Sequence, residues 1–176
     1  INPERIAVIP PASEFKLDEK KIEVLRKKFK KEDESLLLYA GRLEPEKGID
    51  LLLNALGSPL LRVEKITLLV AGTGRLSELV KERAKNDKRI TYVGLIPHEE
   101  IGNYYAISDV IVIPSIVPEG HPLVAEESKK LGKIIIGFDM GGLKELAMKD
   151  KNVIVVKFGT ENLALGINRI LSDLSK

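Results

Sequence analysis

A chain of 176 residues can bury one well-formed core and falls short of two. Its 28 basic and 26 acidic side chains leave a net charge of +2, a balance that describes a solvated exterior and excludes nucleic acid as the main partner. The absence of cysteine excludes disulfide frameworks and thiolate metal sites, and no apolar run approaches the ~20 residues needed to span a bilayer, so a soluble, cytoplasmic protein is expected.

Residues 1–17 read as a linker that leads into a single domain over 18–176. The stretch Ile1 to Phe15 carries three prolines and one short apolar run, Ile6 to Ile9. Asp18 is placed to cap a helix reaching Lys31, whose apolar positions Ile22, Leu25 and Phe29 fall on one face. From there, short β-branched runs alternate with segments of helical period. Strands are predicted over Ser35–Ala40, Ile66–Ala71, Ile90–Val93, Val110–Ile113, Ile134–Gly137 and Val153–Val156. The helices between them are predicted over Ile49–Leu56, Leu76–Lys85, Glu99–Ile107, Val124–Leu131 and Leu143–Met148. A last helix runs from Glu161 to Leu174 with Thr160 as its cap. This alternation marks an α/β fold of Rossmann-like type, an open, mainly parallel sheet with helices on both faces. Such sheets bind ligands at the carboxyl ends of their strands.

The residues with chemistry cluster at those ends. After the first strand, Gly41-Arg42-Leu43 and Glu46-Lys47-Gly48 place two cations five residues apart in a glycine-flanked loop. Arginine offers a planar fork and lysine a compact charge, both suited to phosphate oxygens, although such a pair is also common on ordinary surface loops. After the fourth strand, the run from Pro118 through Glu119, Gly120, His121, Pro122, Leu123, Val124, Ala125 and Glu126 to Glu127 sets two acids eight residues apart. An acid in the loop and another in the following helix can grip two separate hydroxylated parts of one ligand, and a nucleotide sugar fits that requirement. The helix beginning near Leu123 and Val124 would aim unpaired N–H groups at a pyrophosphate. The paired acids could also suggest a glycoside hydrolase, but hydrolysis has no use for a cationic phosphate loop.

Two glycine motifs have competing readings. Ala71-Gly72-Thr73-Gly74 invites a dinucleotide-binding fingerprint, but Ser77 stands where its third glycine belongs, so a strand-to-helix turn is expected. Gly141-Gly142, before Leu143-Lys144-Glu145, is either a simple turn or a source of backbone amides for a ligand.

Taken together and in this order, from about Ser35 to Ala147, these segments resemble the C-terminal, donor-binding half of a family 4 (group 1) retaining glycosyltransferase of GT-B architecture. The resemblance implies that Arg42 and Lys47 bind the donor diphosphate without a metal or other cofactor. It implies that Glu127 accepts from the ribose hydroxyls and that Glu119 lies beside the transferred sugar, a catalytic position shared with the two cations. Leu123 and Val124 would meet the diphosphate, Ile96 in Val93-Gly94-Leu95-Ile96-Pro97 the base, and Gly141 and Gly142 the sugar. His121-Pro122 departs from the Phe-Gly usual there, so His121 either contacts the donor or only fills the space of a phenylalanine. Lys144 replaces a common proline, and Glu126 stands where an apolar residue is usual.

The implied function is transfer of a hexose from a nucleotide diphosphate sugar to a glycan, lipid or small-molecule acceptor. The acceptor would be held by an N-terminal half that these residues do not contain, and peripheral membrane association of the full-length protein is compatible with this. The isolated domain is then expected to bind donor without turnover. A non-catalytic nucleotide-binding module and a nucleotide-sugar epimerase of the same architecture remain as alternatives.

Overall fold

A computed structural model describes residues 15–174. Six parallel strands, β1 (Ser35–Ala40), β2 (Ile66–Ala71), β3 (Ile90–Gly94), β4 (Val110–Ile113), β5 (Ile134–Phe138) and β6 (Val153–Val156), form one sheet in the order β3-β2-β1-β4-β5-β6. Among the described residues, seven helices connect and cover it: α1 (Glu19–Phe29), α2 (Ile49–Leu56), α3 (Ser77–Asn86), α4 (His98–Ile107), α5 (Leu123–Lys130), α6 (Gly141–Ala147) and α7 (Thr160–Leu174). The strand order reverses direction between β1 and β4, and a doubly wound sheet opens a ligand crevice at such a point.

Side-chain alternation along the strands divides the interior into two cores. Leu37 and Tyr39 of β1, with Leu68 and Val70 of β2, face α2, α3 and α7 through residues such as Leu52, Val80 and Ile167. Leu36 and Leu38, with Leu69 of β2 and Ile111 of β4, face the other way onto Ile22 of α1, Tyr105 of α4, Ala125 of α5 and Leu146 of α6. Period-two patterning on both faces explains why the central strands are apolar throughout. No helix among the described residues is long and apolar enough to cross a membrane.

Most predicted element ends shift by a residue or two. α1 stops at Phe29 rather than Lys31, with Lys30 already extended. α3 begins at Ser77 rather than Leu76; Ser77 Oγ accepts from Gly74 N at 3.0 Å and donates to Gly74 O at 2.7 Å. α6 begins at Gly141 instead of Leu143, so the glycine pair is helical and not a turn before the helix. Thr160 is the first residue of α7 rather than its cap; the carbonyl of Gly159 accepts the first helical bond, from Leu163 N at 3.1 Å. A single 3-10 turn, Pro45–Lys47, falls inside the cation loop and was not expected.

Residues 1–14 of the expected linker lie outside the described residues. Phe15 packs edge-on against Tyr105, with ring centroids 6.1 Å apart. Asp18 behaves as expected, accepting from Lys20 N and Lys21 N at 3.0 and 3.1 Å, while its own N–H donates to buried Asn103 at 2.9 Å. Replacing Asp18 by alanine should lower stability by about 1 kcal/mol, the usual worth of a side-chain cap. A denaturant midpoint that did not move would show that the backbone contact to Asn103 alone fixes the start of α1.

Candidate functional site

The site is assembled from loops that leave the carboxyl ends of β1, β2 and β4, and close backbone packing holds them in register. Gly48 has a φ of 66°, and a Cβ there would lie 1.9 Å from the carbonyl oxygen of Pro114. Only glycine allows the loop after β1 to press so closely on the loop after β4. Ile116 N and Ser115 Oγ both donate to Glu46 O, at 3.0 and 3.2 Å, joining the same two loops. On the other side, the ladder between β1 and β2 continues past the strands, through Gly41 N to Ala71 O at 3.0 Å and Leu43 N to Thr73 O at 2.9 Å. Gly72, with a φ of 133°, lies so close to Gly41 that a Cβ would stand 1.8 Å from its carbonyl oxygen. The Gly72-Thr73-Gly74 segment is therefore a close-packed strand-to-helix turn, as expected of it.

This packing brings Lys47 and Glu119 together. Lys47 Nζ lies 2.9 Å from Glu119 Oε2, with the lysine side chain 20% and the glutamate 28% exposed. Arg42 is placed differently. Its backbone carbonyl accepts from Tyr39 OH at 2.7 Å, while its side chain is 66% exposed and its guanidinium lies 3.6 Å from Glu46 Oε1, too far for a firm bond. A guanidinium held so loosely is free to turn toward a ligand. Burial, and next the negative charge of Glu119, push the Tyr39 phenol far above its ordinary pKa, so it stays a donor to Arg42. Outside the cations, Arg75 bonds Glu44 and holds its carboxyl below the usual range.

Two adjoining cavities open here. The larger, about 680 Å³, lies under Gly72 and Ile96 and has Tyr105 and Glu127 at its wall. The smaller, about 240 Å³, contains Lys47, Glu119 and His121. Arg42, Leu123 and Val124 line both, so the amino end of α5, with its unpaired N–H groups, stands at their boundary. The two acids thus occupy different chambers, joined at the residues best suited to a diphosphate.

Glu127 is 2% exposed. Its Oε2 accepts from Tyr105 OH at 2.9 Å, while Oε1 is buried without any hydrogen-bond partner. His98, exposed at the cavity mouth, brings its Nε2 within 3.5 Å of Oε1, longer than a good hydrogen bond. A buried carboxylate oxygen without a donor is costly unless a ligand supplies one. Neither Tyr105 nor His98 was singled out from the sequence. His98 lies just past the Ile96 motif, but nothing in the local pattern marks Tyr105, whose partner is remote in the chain.

Gly141 and Gly142 line neither cavity. Gly142 N donates to Glu119 O at 2.7 Å, and a Cβ on Gly141 or Gly142 would lie 2.6 or 2.4 Å from the carbonyl oxygens of Glu119 and Gly120 respectively. The expectation that this pair offers amides to a sugar is corrected for Gly142: its N–H is committed, and the glycines serve to seat the loop that carries Glu119. His121 does reach the smaller cavity, and its Nε2 is 3.3 Å from Glu126 Oε1, while Lys129 Nζ lies 3.4 Å from the other oxygen, Oε2. Glu126 therefore acts as a partner for His121 at the cavity edge.

Residues 20–176 match the family described as glycosyl transferases group 1. An uncharacterized glycosyltransferase of Methanocaldococcus jannaschii is 30% identical over 159 residues, covering 88% of this chain and 40% of that protein. The lipopolysaccharide 1,2-N-acetylglucosaminetransferase of Salmonella typhimurium is 30% identical over 155 residues, covering 81% of this chain and 40% of the enzyme. The chain thus spans about two fifths of the length of these curated relatives. Among solved structures, Anabaena HepE in complex with UDP and glucose superposes with a TM-score of 0.76 at 23% identity, over 92% of this chain and 45% of that one, a likeness of fold. With the parallel sheet, the crevice at its switch point and the paired cations and acids now in place, the match over nearly the whole length identifies this chain as a member of the group 1 glycosyl transferases.

Proposed function

We propose that this chain is the C-terminal, donor-binding half of a retaining GT-B enzyme that transfers a hexose from a nucleotide diphosphate sugar. The observation that carries the reading is the unpartnered Glu127 Oε1, buried in the larger of two chambers whose junction is cationic. The larger chamber takes the nucleoside, with Glu127 accepting from ribose and Ile96 beside the base. Arg42, Lys47 and the start of α5 take the diphosphate, and the smaller chamber, with Glu119, takes the sugar. HepE, whose structure holds UDP and glucose, supports a ligand of this class, as does the sugar transfer named for the Salmonella relative.

In the reaction, the bond between the anomeric carbon and the diphosphate oxygen breaks, and negative charge grows on the leaving diphosphate. Cations fixed before the reaction stabilise that charge more than they stabilise the ground state. Glu119 favours positive character at the anomeric carbon and holds the sugar hydroxyls. No divalent metal is needed for this clamp, and chelation with EDTA should leave turnover unchanged. The acceptor, a glycan, lipid or small molecule, binds outside this chain, which by itself binds donor without transferring it. The protein works in the cytoplasm.

Titration calorimetry of the chain against UDP, GDP, ADP and their sugar conjugates tests the assignment and names the base. Glu127→Ala should weaken binding of the plain nucleoside diphosphate by about 1.5–3 kcal/mol, the worth of a hydrogen bond to a charged group, and should not change binding of the 2′,3′-dideoxy form. Glu119→Ala should spare the nucleoside diphosphate and weaken the sugar conjugate by a similar amount. Equal losses for both ligands in both variants would overturn the division of the donor between the chambers.

A further inference from the structure

We propose that Tyr105 is a positioning residue for donor recognition: its phenol locks one oxygen of Glu127 so that the other, Oε1, is the fixed acceptor for a ligand hydroxyl. The inference rests on the donor-site reading only in taking Glu127 as that acceptor.

The terminal torsion of a glutamate is broad and nearly two-fold, so a carboxylate in an open pocket can turn either oxygen outward. In this chain the choice is made. Tyr105, only 1% exposed, donates to Oε2 at 2.9 Å, and Oε1 is left without a partner in the same chamber. Tyr105 is itself held, by its place on α4 and by a T-shaped contact with the Phe15 ring, the two centroids 6.1 Å apart. His98 faces Oε1 from the cavity mouth at 3.5 Å and is exposed, so it neither fills the acceptor nor fixes its direction. Burial and the charge of Glu127 raise the ionisation of the Tyr105 phenol well out of reach, so the hydroxyl remains a donor and the carboxylate the acceptor.

A tyrosine required only for packing would be replaced by phenylalanine with little specific effect, because the ring fills the same space. A positioning tyrosine has a narrower signature. Tyr105→Phe frees the carboxylate to turn and to meet the ligand with poor geometry, so the loss should fall on the hydroxyl contact alone.

The test uses whichever of UDP, GDP and ADP binds this chain most tightly, together with its 2′,3′-dideoxy counterpart. In Tyr105→Phe the preference for the ribose form should fall by about 10-fold, with dideoxy affinity unchanged as the control for intact folding. In a Glu127→Ala background, where no acceptor is left to position, adding Tyr105→Phe should lower the ribose preference no further. A retained preference in Tyr105→Phe overturns the inference and leaves the donor site standing. A parallel loss of both ligands, the mark of general damage to the chamber rather than of a lost hydroxyl contact, also overturns it. A wild-type chain with no ribose preference removes the role of Glu127 and the positioning role with it.

Discussion

Alanine at Lys47 should lower turnover of the full-length enzyme by about 100-fold or more, the scale seen when one preorganised electrostatic donor is removed from a reacting centre. Lys47 is the better fixed of the two cations: the 3-10 turn at Pro45–Lys47 and the Gly48 contact with Pro114 place it, and Glu119 pairs with it at 2.9 Å. Its removal withdraws charge from the leaving diphosphate and also leaves Glu119 without its counter-ion, so the sugar chamber loses its own balance. Arg42→Ala should cost a comparable factor by the first route alone, because Arg42 has no firm partner of its own. Steady-state kinetics at saturating donor would decide the matter; a Lys47→Ala enzyme within threefold of wild type would mean that the diphosphate is clamped elsewhere.

Gly72→Ala is expected to be the most damaging single change to the fold. At a φ of 133° no other residue sits without strain, and the new methyl would meet the Gly41 carbonyl oxygen at 1.8 Å, so β1 and β2 would have to part where they leave the sheet. Strain of about 1–3 kcal/mol and overpacking of a similar size combine to about 3 kcal/mol or more. For a domain of this size that lowers the melting temperature by roughly 10 °C. Gly120→Ala is the natural control, since nothing lies within 4 Å of a Cβ there and the change should stay within about 0.5 kcal/mol. Calorimetric melting of both variants gives the comparison, and equal melting temperatures would show that the sheet ends can yield.

The strands were legible because each is a β-branched or leucine-rich run bounded by polar residues, and β1, β2, β4 and β6 fall where the pattern puts them. Gly141-Gly142 was harder. Low helical propensity argues for a turn, but packing against the Glu119 loop needs residues without side chains and overrides propensity in the first turn of α6. Residue type together with the family resemblance points to Arg42, Lys47, Glu119 and Glu127, and the sheet order gathers them around two adjoining cavities. What the sequence could not reveal is pairing across the fold. That Lys47 answers Glu119, and that Tyr105 occupies half of Glu127, depends on which strands become neighbours, and no local pattern encodes that.

The hydrogen bonds that extend the β1–β2 ladder beyond its strands bear on how the protein would respond to solvent exchange. The amides of Gly41 and Leu43 belong to a loop by position, yet each is bonded to the neighbouring segment as a strand residue would be. Their deuterium uptake should follow the opening of the sheet itself rather than the fast local fluctuations of a surface loop. A segment already ordered to that degree loses little further freedom when a ligand arrives, so the β1 side of the crevice is an anvil against which more yielding parts can close.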